Sequence, residues 1–237
     1  MKDKLLLLTL TLIGSSILNL NAQGTDIQIV ESIFKENSVQ WNIDERVTME
    51  GNRVVGLNLN GDITKNWLTV LNPSIGKLTE LKVLTINDNE LFEIPEEIYT
   101  CTKLAKLEIK SNNLQKLPDG ISELASLEEL DLRHNELEEL PADIADLKSI
   151  KKLHLWGNKL VSLPPQIGNL HSLKELFLMN NRLLSLPESI TKLNLTYLDI
   201  SFNYLRDSEA IVDTWLKKFN KNYRSEQFDK KGMHYFL

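Results

Sequence analysis

The chain has 237 residues, 42% of them hydrophobic and 25% charged, with a formal net charge of −6. That size and apolar content suit one domain or one elongated array with a real core, and they exclude a disordered chain. The acidic balance argues against a nucleic-acid binder, which tracks phosphates with clustered Lys and Arg. A single cysteine excludes a disulfide scaffold, a Cys-based zinc cluster and a CxxC redox site.

Met1-Lys2-Asp3-Lys4 is a basic start, residues 5–13 are an almost unbroken apolar run, and Leu20-Asn21-Ala22 puts a small residue before Gln23. This pattern is that of a secretory signal peptide, residues 1–22, cleaved after Ala22. The run is shorter than the roughly 20 apolar residues of a membrane span, and no later segment comes closer. No Cys lies near the cut, which argues against a lipoprotein anchor. Cleavage removes two lysines and one aspartate, so the expected mature chain is exported, without a transmembrane segment, and carries a net charge of −7. A buried N-terminal helix, or a cytoplasmic scaffold with an uncleaved start, is the alternative.

Residues 23–53 read as an N-terminal cap. Thr25 and Gln28 match a capping box, and Ile27, Val30, Ile33 and Phe34 then share one face of an amphipathic helix. Residues 46–50, the pair Gly51-Asn52 and residues 53–60 read as a hairpin that enters the array.

The array itself, residues 54–206, is one unit copied. Asparagines recur at Asn89, Asn112, Asn135, Asn158 and Asn181, each 23 residues apart, and then at Asn203 after 22. The clearest frame is Leu127-Glu-Glu-Leu130-Asp-Leu132-Arg-His-Asn135-Glu-Leu137-Glu-Glu-Leu140-Pro141; other copies start at Leu81, Leu104, Ile150, Leu173 and Leu195, and a degenerate one at Val54. Alternation at Leu84 and Ile86 is strand-like, while Leu91, Ile94, Ile98 and Cys101 fall at turn and helical spacing on the opposite side. One such unit cannot bury both faces alone, so neighbours must stack and share a core. Pro95, Pro118, Pro141, Pro164 and Pro187 remove a backbone donor where the chain leaves the turn. The recurring Asn reads as a spine whose amides satisfy backbone groups that the strands leave unpaired.

The frame L-x-x-L-x-L-x-x-N-x-L-x-x-L-P-x-x-I-x-x-L resembles the leucine-rich repeat over residues 54–205. The 23-residue version with Leu-Pro resembles the Ras-suppressor class, and the copy at 53–61 followed by Asn72-Pro-Ser-Ile-Gly-Lys-Leu78 resembles plant receptor ectodomains. With the signal segment, the chain resembles an exported bacterial member of that family. The resemblance implies an α/β solenoid: a horseshoe of about seven repeats with a parallel β-sheet on the concave face, a helix-and-hairpin cap at the N-terminus and a helical cap at the C-terminus. It also implies a binding scaffold, with no cofactor.

In such a stack, equal repeat positions become neighbours about 4.8 Å apart. Outward positions then form columns: Val83, Lys106, Glu129, Lys152, Glu175, Tyr197; Thr85, Glu108, Asp131, His154, Phe177, Asp199; and Asn87, Lys110, Arg133, Trp156, Met179, Ser201. A further column runs Asp88, Ser111, His134, Gly157, Asn180, Phe202. Charged residues of both signs fill the earlier repeats, with Glu108–Lys110 and Glu129–Lys152 as expected pairs. Trp156, Phe177, Met179, Tyr197 and Phe202 gather in the later ones. Large aromatic side chains at solvent-facing positions mark interfaces. The candidate partner-binding set is therefore Trp156, Phe177, Met179 and Tyr197, with His154, Arg133 and Glu129 tuning specificity, and the partner is another protein. A glycan stacked on the same aromatics is the alternative partner.

Catalysis has less support. Asp131 and His154 share a column, which permits a carboxylate-oriented histidine for a hydrolase, and Glu108, Asp131, His134 and His154 are metal-capable. No Ser or Cys nucleophile stands beside them, however, and a flat ladder offers no convergent pocket. Cys101 fills the slot taken elsewhere by Leu78, Leu124, Leu147, Leu170 and Leu193, so it reads as core. In residues 207–237, Ser208 is placed to cap a helix with Ile211, Trp215, Leu216 and Phe219 on one side, and residues 229–237 read as a tail.

Overall fold

The computed structural model describes residues 25–62, 66–205, 209–220, 223 and 227. The proposed signal segment, Ser208 and the tail at 229–237 lie outside these residues, as does the side chain of Thr25. Among the described residues, eight strands make one sheet in chain order. β1 (Val47–Glu50) and β2 (Arg53–Asn58) form an antiparallel hairpin over a turn in which Gly51 takes φ 63°. From β2 onward every pairing is parallel: β3 (Val83–Thr85), β4 (Lys106–Glu108), β5 (Glu129–Asp131), β6 (Lys152–His154), β7 (Glu175–Phe177) and β8 (Tyr197–Asp199). Three-residue strands are too short to stand alone, so the register between repeats carries the fold.

The return side of each repeat is a 3-10 turn rather than an α-helix: Pro73–Lys77, Glu96–Thr100, Ile121–Glu123, Ala142–Asp146, Ile167–Asn169 and Glu188–Lys192. The tight turn fits the short apolar period between Ile98 and Cys101 or Ile144 and Leu147, and the prolines start it. Pro95, Pro141 and Pro187 take extended backbone before the turn, and their carbonyls accept the N–H of Ile98, Ile144 and Ile190. Between the strands and these turns lies one continuous apolar core, with Leu84, Ile86, Leu91 and Ile98 fully enclosed. Cys101 belongs to it, and its Sγ–H points at the Ile75 carbonyl, 3.4 Å away. Burial pushes the thiol up to about 11.

The asparagine spine holds the repeats in register. Asn135 Oδ1 accepts the N–H of Leu114 in the preceding repeat at 3.1 Å, while its Nδ2 donates to the carbonyls of Ile109 and Leu132 at 2.8 and 3.0 Å. Asn112, Asn158, Asn181 and Asn203 repeat this geometry. All are buried, so each amide replaces a hydrogen bond to water that those backbone groups no longer have.

Both ends extend the same logic. At the start, α1 (Thr25–Glu36) lays Ile27, Val30, Ile33 and Phe34 on the core. The buried Asp26 accepts Val54 N–H at 3.0 Å and Arg53 Nε at 2.9 Å, which ties α1 to β2. Asn37 accepts the N–H groups of Thr69 and Val70 and donates to the Val70 carbonyl, a spine bond made from outside the array. A one-turn helix, α2 (Ile43–Arg46), leads into the hairpin.

At the other end α3 spans Ala210–Leu216, preceded by Glu209, whose side chain makes no capping bond. Val212, Trp215 and Leu216 are buried in the core and Phe219 packs against it, whereas Ile211 is half exposed, so Val212 takes the place expected for Ile211 on the closing face. Gln227 then occupies the next spine position: its Oε1 accepts Asn203 N–H and its Nε2 donates to the Ile200 carbonyl, both at 3.2 Å. No helix among the described residues is long and apolar enough to cross a membrane.

Replacing a central spine residue leaves buried backbone groups unpaired. Asn135→Ala is expected to lower unfolding stability by about 2–3 kcal/mol, against less than about 0.5 kcal/mol for the exposed Glu138→Ala. Urea melts of the two variants beside the parent check this; equal midpoints would remove the spine from its stabilising role.

Candidate functional site

The parallel register turns sequence positions into neighbours on the concave face. Glu129 aligns with Lys152, Glu175 and Tyr197, and Asp131 with His154, Phe177 and Asp199. The outward column beside them carries Lys110, Arg133, Trp156 and Met179. Asp88, Ser111, His134, Gly157, Asn180 and Phe202 all take left-handed backbone, φ 54–71°, so their column is the sharp exit from each strand rather than sheet surface.

That exit brings rings together. His134 leans from its repeat onto Trp156 in the next, with centroids 4.0 Å apart at 70°. Gly157 makes this possible, because a Cβ there would meet the His134 ring at 2.8 Å. In the neighbouring column His154 stacks flat on Phe177 at 4.3 Å and 10°, and Phe177 continues to Tyr197 at 4.8 Å. Trp156, Phe177 and Met179 are half-buried, while Tyr197 remains 46% exposed. Each pair of this kind adds about 0.5–1.5 kcal/mol beyond its buried area. The rings thus form two stacked groups, His134–Trp156 and His154–Phe177–Tyr197. Phe202 is half-buried beside the C-terminal cap.

The charges pair differently from the sequence expectation. Lys106 takes both Glu108 at 2.7 Å and Glu129 at 3.3 Å, and Lys152 turns to Glu175 at 3.3 Å. Neither a Glu108–Lys110 nor a Glu129–Lys152 ion pair occurs among the described residues. Burial opposes the charge of Glu108, but hydrogen bonds from Lys106 and Asn87 outweigh it and hold the carboxyl below its ordinary range.

Asp131 also differs. Its carboxylate is buried to 1% exposure, accepts the Arg133 backbone N–H at 3.2 Å and pairs with Arg133 Nη2 at 2.7 Å. Asn58 and Asp199 clasp the N–H two residues on in the same way. Asp131 therefore serves the frame and Arg133, His154 stacks on Phe177, and no hydrogen bond or ion pair joins Asp131 to His154 among the described residues. Groups of three or more metal-capable side chains are absent among the described residues. Burial pushes His154 below its ordinary imidazole value, with Asp131 acting in the opposite direction and Arg133 reinforcing the shift.

Sequence columns did not reveal a second apolar line. Phe92, Val161 and Leu184, 61%, 48% and 63% exposed, share the position three residues after the spine, and Phe92 and Val161 border a cleft of about 620 Å³ with Glu93, Lys116 and Glu139. Their signal was present, an apolar residue at a position filled by Gln115 and Glu138 in the intervening repeats.

Known proteins share this repeat geometry. A family profile described as leucine rich repeat matches residues 102–160 and 148–205. Residues 102–205 are thus leucine-rich repeats. It is similar to a leucine-rich repeat protein of Leptospira interrogans at 35% identity and TM-score 0.51, covering 65% of this chain and 45% of that one. A plant ice-binding protein aligns at 27% identity and TM-score 0.68 over 75% of this chain and 63% of its own. The plant peptide hormone receptor RGFR1, in complex with RGF2, aligns at 27% identity and TM-score 0.54 over 77% and 32%. The chain therefore spans less than two thirds of each of these structures. No curated protein matches its sequence significantly.

The depressed His154 value sets a sign for pH. An unfolded histidine titrates near about 6.5, above the folded group, so the unfolded chain takes up this proton first. The stability contribution is complete above that pH and is lost as pH falls through the folded value. Urea midpoints between pH 7.5 and 5 are expected to fall less for His154→Phe than for the parent; parallel slopes would contradict the assignment.

Proposed function

We propose that this leucine-rich repeat array is a non-catalytic binding module that recognises another protein across its concave sheet. The observation that carries the reading is the set of rings Trp156, His154, Phe177 and Tyr197 at outward positions of the sheet, with His134 against Trp156 from the strand exit and the neighbouring glutamates held by lysines. Trp156, Phe177, Met179 and Tyr197 are the anchors, and His154, Arg133 and Glu129 tune the fit. A rigid frame of this kind loses little ordering entropy on association. The likeness to a peptide hormone receptor solved with its ligand supports the same use of the repeat surface. The basic, apolar and small-residue order of residues 1–22 supports export, with the mature chain beginning at Gln23.

A glycan partner is favoured by one feature, the exposed Tyr197 face next to Phe177, on which a sugar ring stacks. Affinity capture from the host's exported fraction separates the two. Trp156→Ala and Phe177→Ala are each expected to weaken a captured protein by about 30-fold, equivalent to about 2 kcal/mol, with the fold retained by circular dichroism. Undiminished capture by both variants would overturn the concave-face reading, and retention by polysaccharide alone would replace the protein with a glycan.

A further inference from the structure

The outward columns of the concave face carry four basic residues, Lys106, Lys110, Arg133 and Lys152, against five carboxylates, but the charge they present differs along the sheet. In the repeats of β4 and β5 two of the three carboxylates lie beneath their partners: Asp131 is 1% exposed against 32% for Arg133, and Glu108 is 18% against 37% for Lys106. Lys110 stands in the same column as Arg133 and makes no ion pair among the described residues. Arg133 itself is held by one carboxylate through Nη2, and its buried Nε meets no acceptor within the protein. Its guanidinium lies 5.9 Å from the centre of the Trp156 ring. Glu129 and Glu175, 29% and 31% exposed, stand in the neighbouring column, where Lys106 and Lys152 engage them. A chain of net charge −6 thus offers cationic groups on this part of the sheet, next to its rings.

We propose that the partner segment bound here is an extended peptide carrying an Asp or Glu side chain that meets Lys110 and Arg133, and an aromatic or large aliphatic side chain that lies against Trp156 and Phe177. The inference rests on the protein-binding reading of the concave face and adds the chemistry of the partner. Arg133 and Phe177 are two strands apart, about 10 Å at the usual strand spacing, which an extended peptide crosses in about three residues. The acidic side chain therefore precedes or follows the apolar one by two to four positions. Arg133 already has its guanidinium oriented by the buried Asp131, so little is lost in ordering it. Asp131 is a positioning residue in this arrangement.

The test uses a random peptide library displayed on phage and selected against the folded protein, followed by fluorescence anisotropy on an enriched peptide. Expected is enrichment of Asp or Glu two to four residues from an aromatic or large aliphatic residue, with the Asp→Asn or Glu→Gln peptide bound at least tenfold more weakly at low salt. Arg133→Glu sets a carboxylate against Asp131 and risks the frame, so Lys110→Glu is the companion variant, since the Lys110 side chain carries no structural bond. Selection against Lys110→Glu is expected to move the preference from acidic to basic residues at that position. Peptides without an acidic position, or an amide peptide bound as tightly as the acid, would overturn the inference while Trp156→Ala still abolished binding. Enriched peptides indifferent to both Trp156→Ala and Phe177→Ala would instead overturn the concave-face reading. Failure to enrich any peptide would overturn the extended-peptide partner.

Discussion

The buried asparagine amide is the interaction on which the rest of this molecule depends. Strands of three residues pair through few ladder bonds, and the chain then turns away through a left-handed residue, leaving carbonyl and N–H groups enclosed without partners. One amide per repeat meets that demand across two repeats at once, accepting from Leu114, Leu137 or Leu160 and donating to carbonyls behind it. No other short side chain offers donor and acceptor in one rigid plane. Because the same bond recurs at every level, it sets the register, and register in turn decides which side chains meet on the concave face.

From that constraint the surface follows by short steps. Register puts His154 beside Phe177 and Phe177 beside the end of its column at Asp199, while the diagonal reach of large rings joins Phe177 to Tyr197. The left-handed exit aims His134 at Trp156, and Gly157 leaves the room. Asp131 spends both carboxylate oxygens on Arg133, one on its backbone and one on its guanidinium, so the buried charge is matched and the exposed end is cationic. Sheet position, ring contact and charge presentation are therefore consequences of one repeating hydrogen bond acting on different residues.

The repeating part of this is legible in the amino-acid sequence alone. A 23-residue period with Asn at a fixed place determines the parallel sheet, the spine, the column neighbours and the core position of Cys101. Choices among nearly equal alternatives are not legible there. A lysine tip reaches several glutamates, and exposed pairs differ by only a few tenths of a kcal/mol, so spacing alone cannot say that Lys106 takes Glu129 and Lys152 takes Glu175. The burial of Asp131 depends on the reach of Arg133 back over it, which no column records. The caps escape for another reason: they do not repeat. Ile211 and Val212 both fit an apolar helix face, and only docking against the last repeat selects Val212. Gln227 imitates a spine asparagine from a segment with no repeat around it, using one more methylene to reach Asn203 and Ile200.

This division has a functional consequence. Frame residues and face residues occupy different columns, and almost every frame group is satisfied by another frame group. Leu84, Asn135 or Ile144 cannot change without leaving a void or an unpaired donor, whereas Lys110, Trp156 or Met179 touch the frame mainly through their backbones. A face can then be rewritten while the solenoid stands. Asp131 and Gly157 are the exceptions, since each is a frame residue that aims a face residue: one turns Arg133 toward solvent and the other admits His134 against Trp156. The particular surface of this protein is consequently specified at two levels, by the side chains that protrude and by the few buried positions that point them.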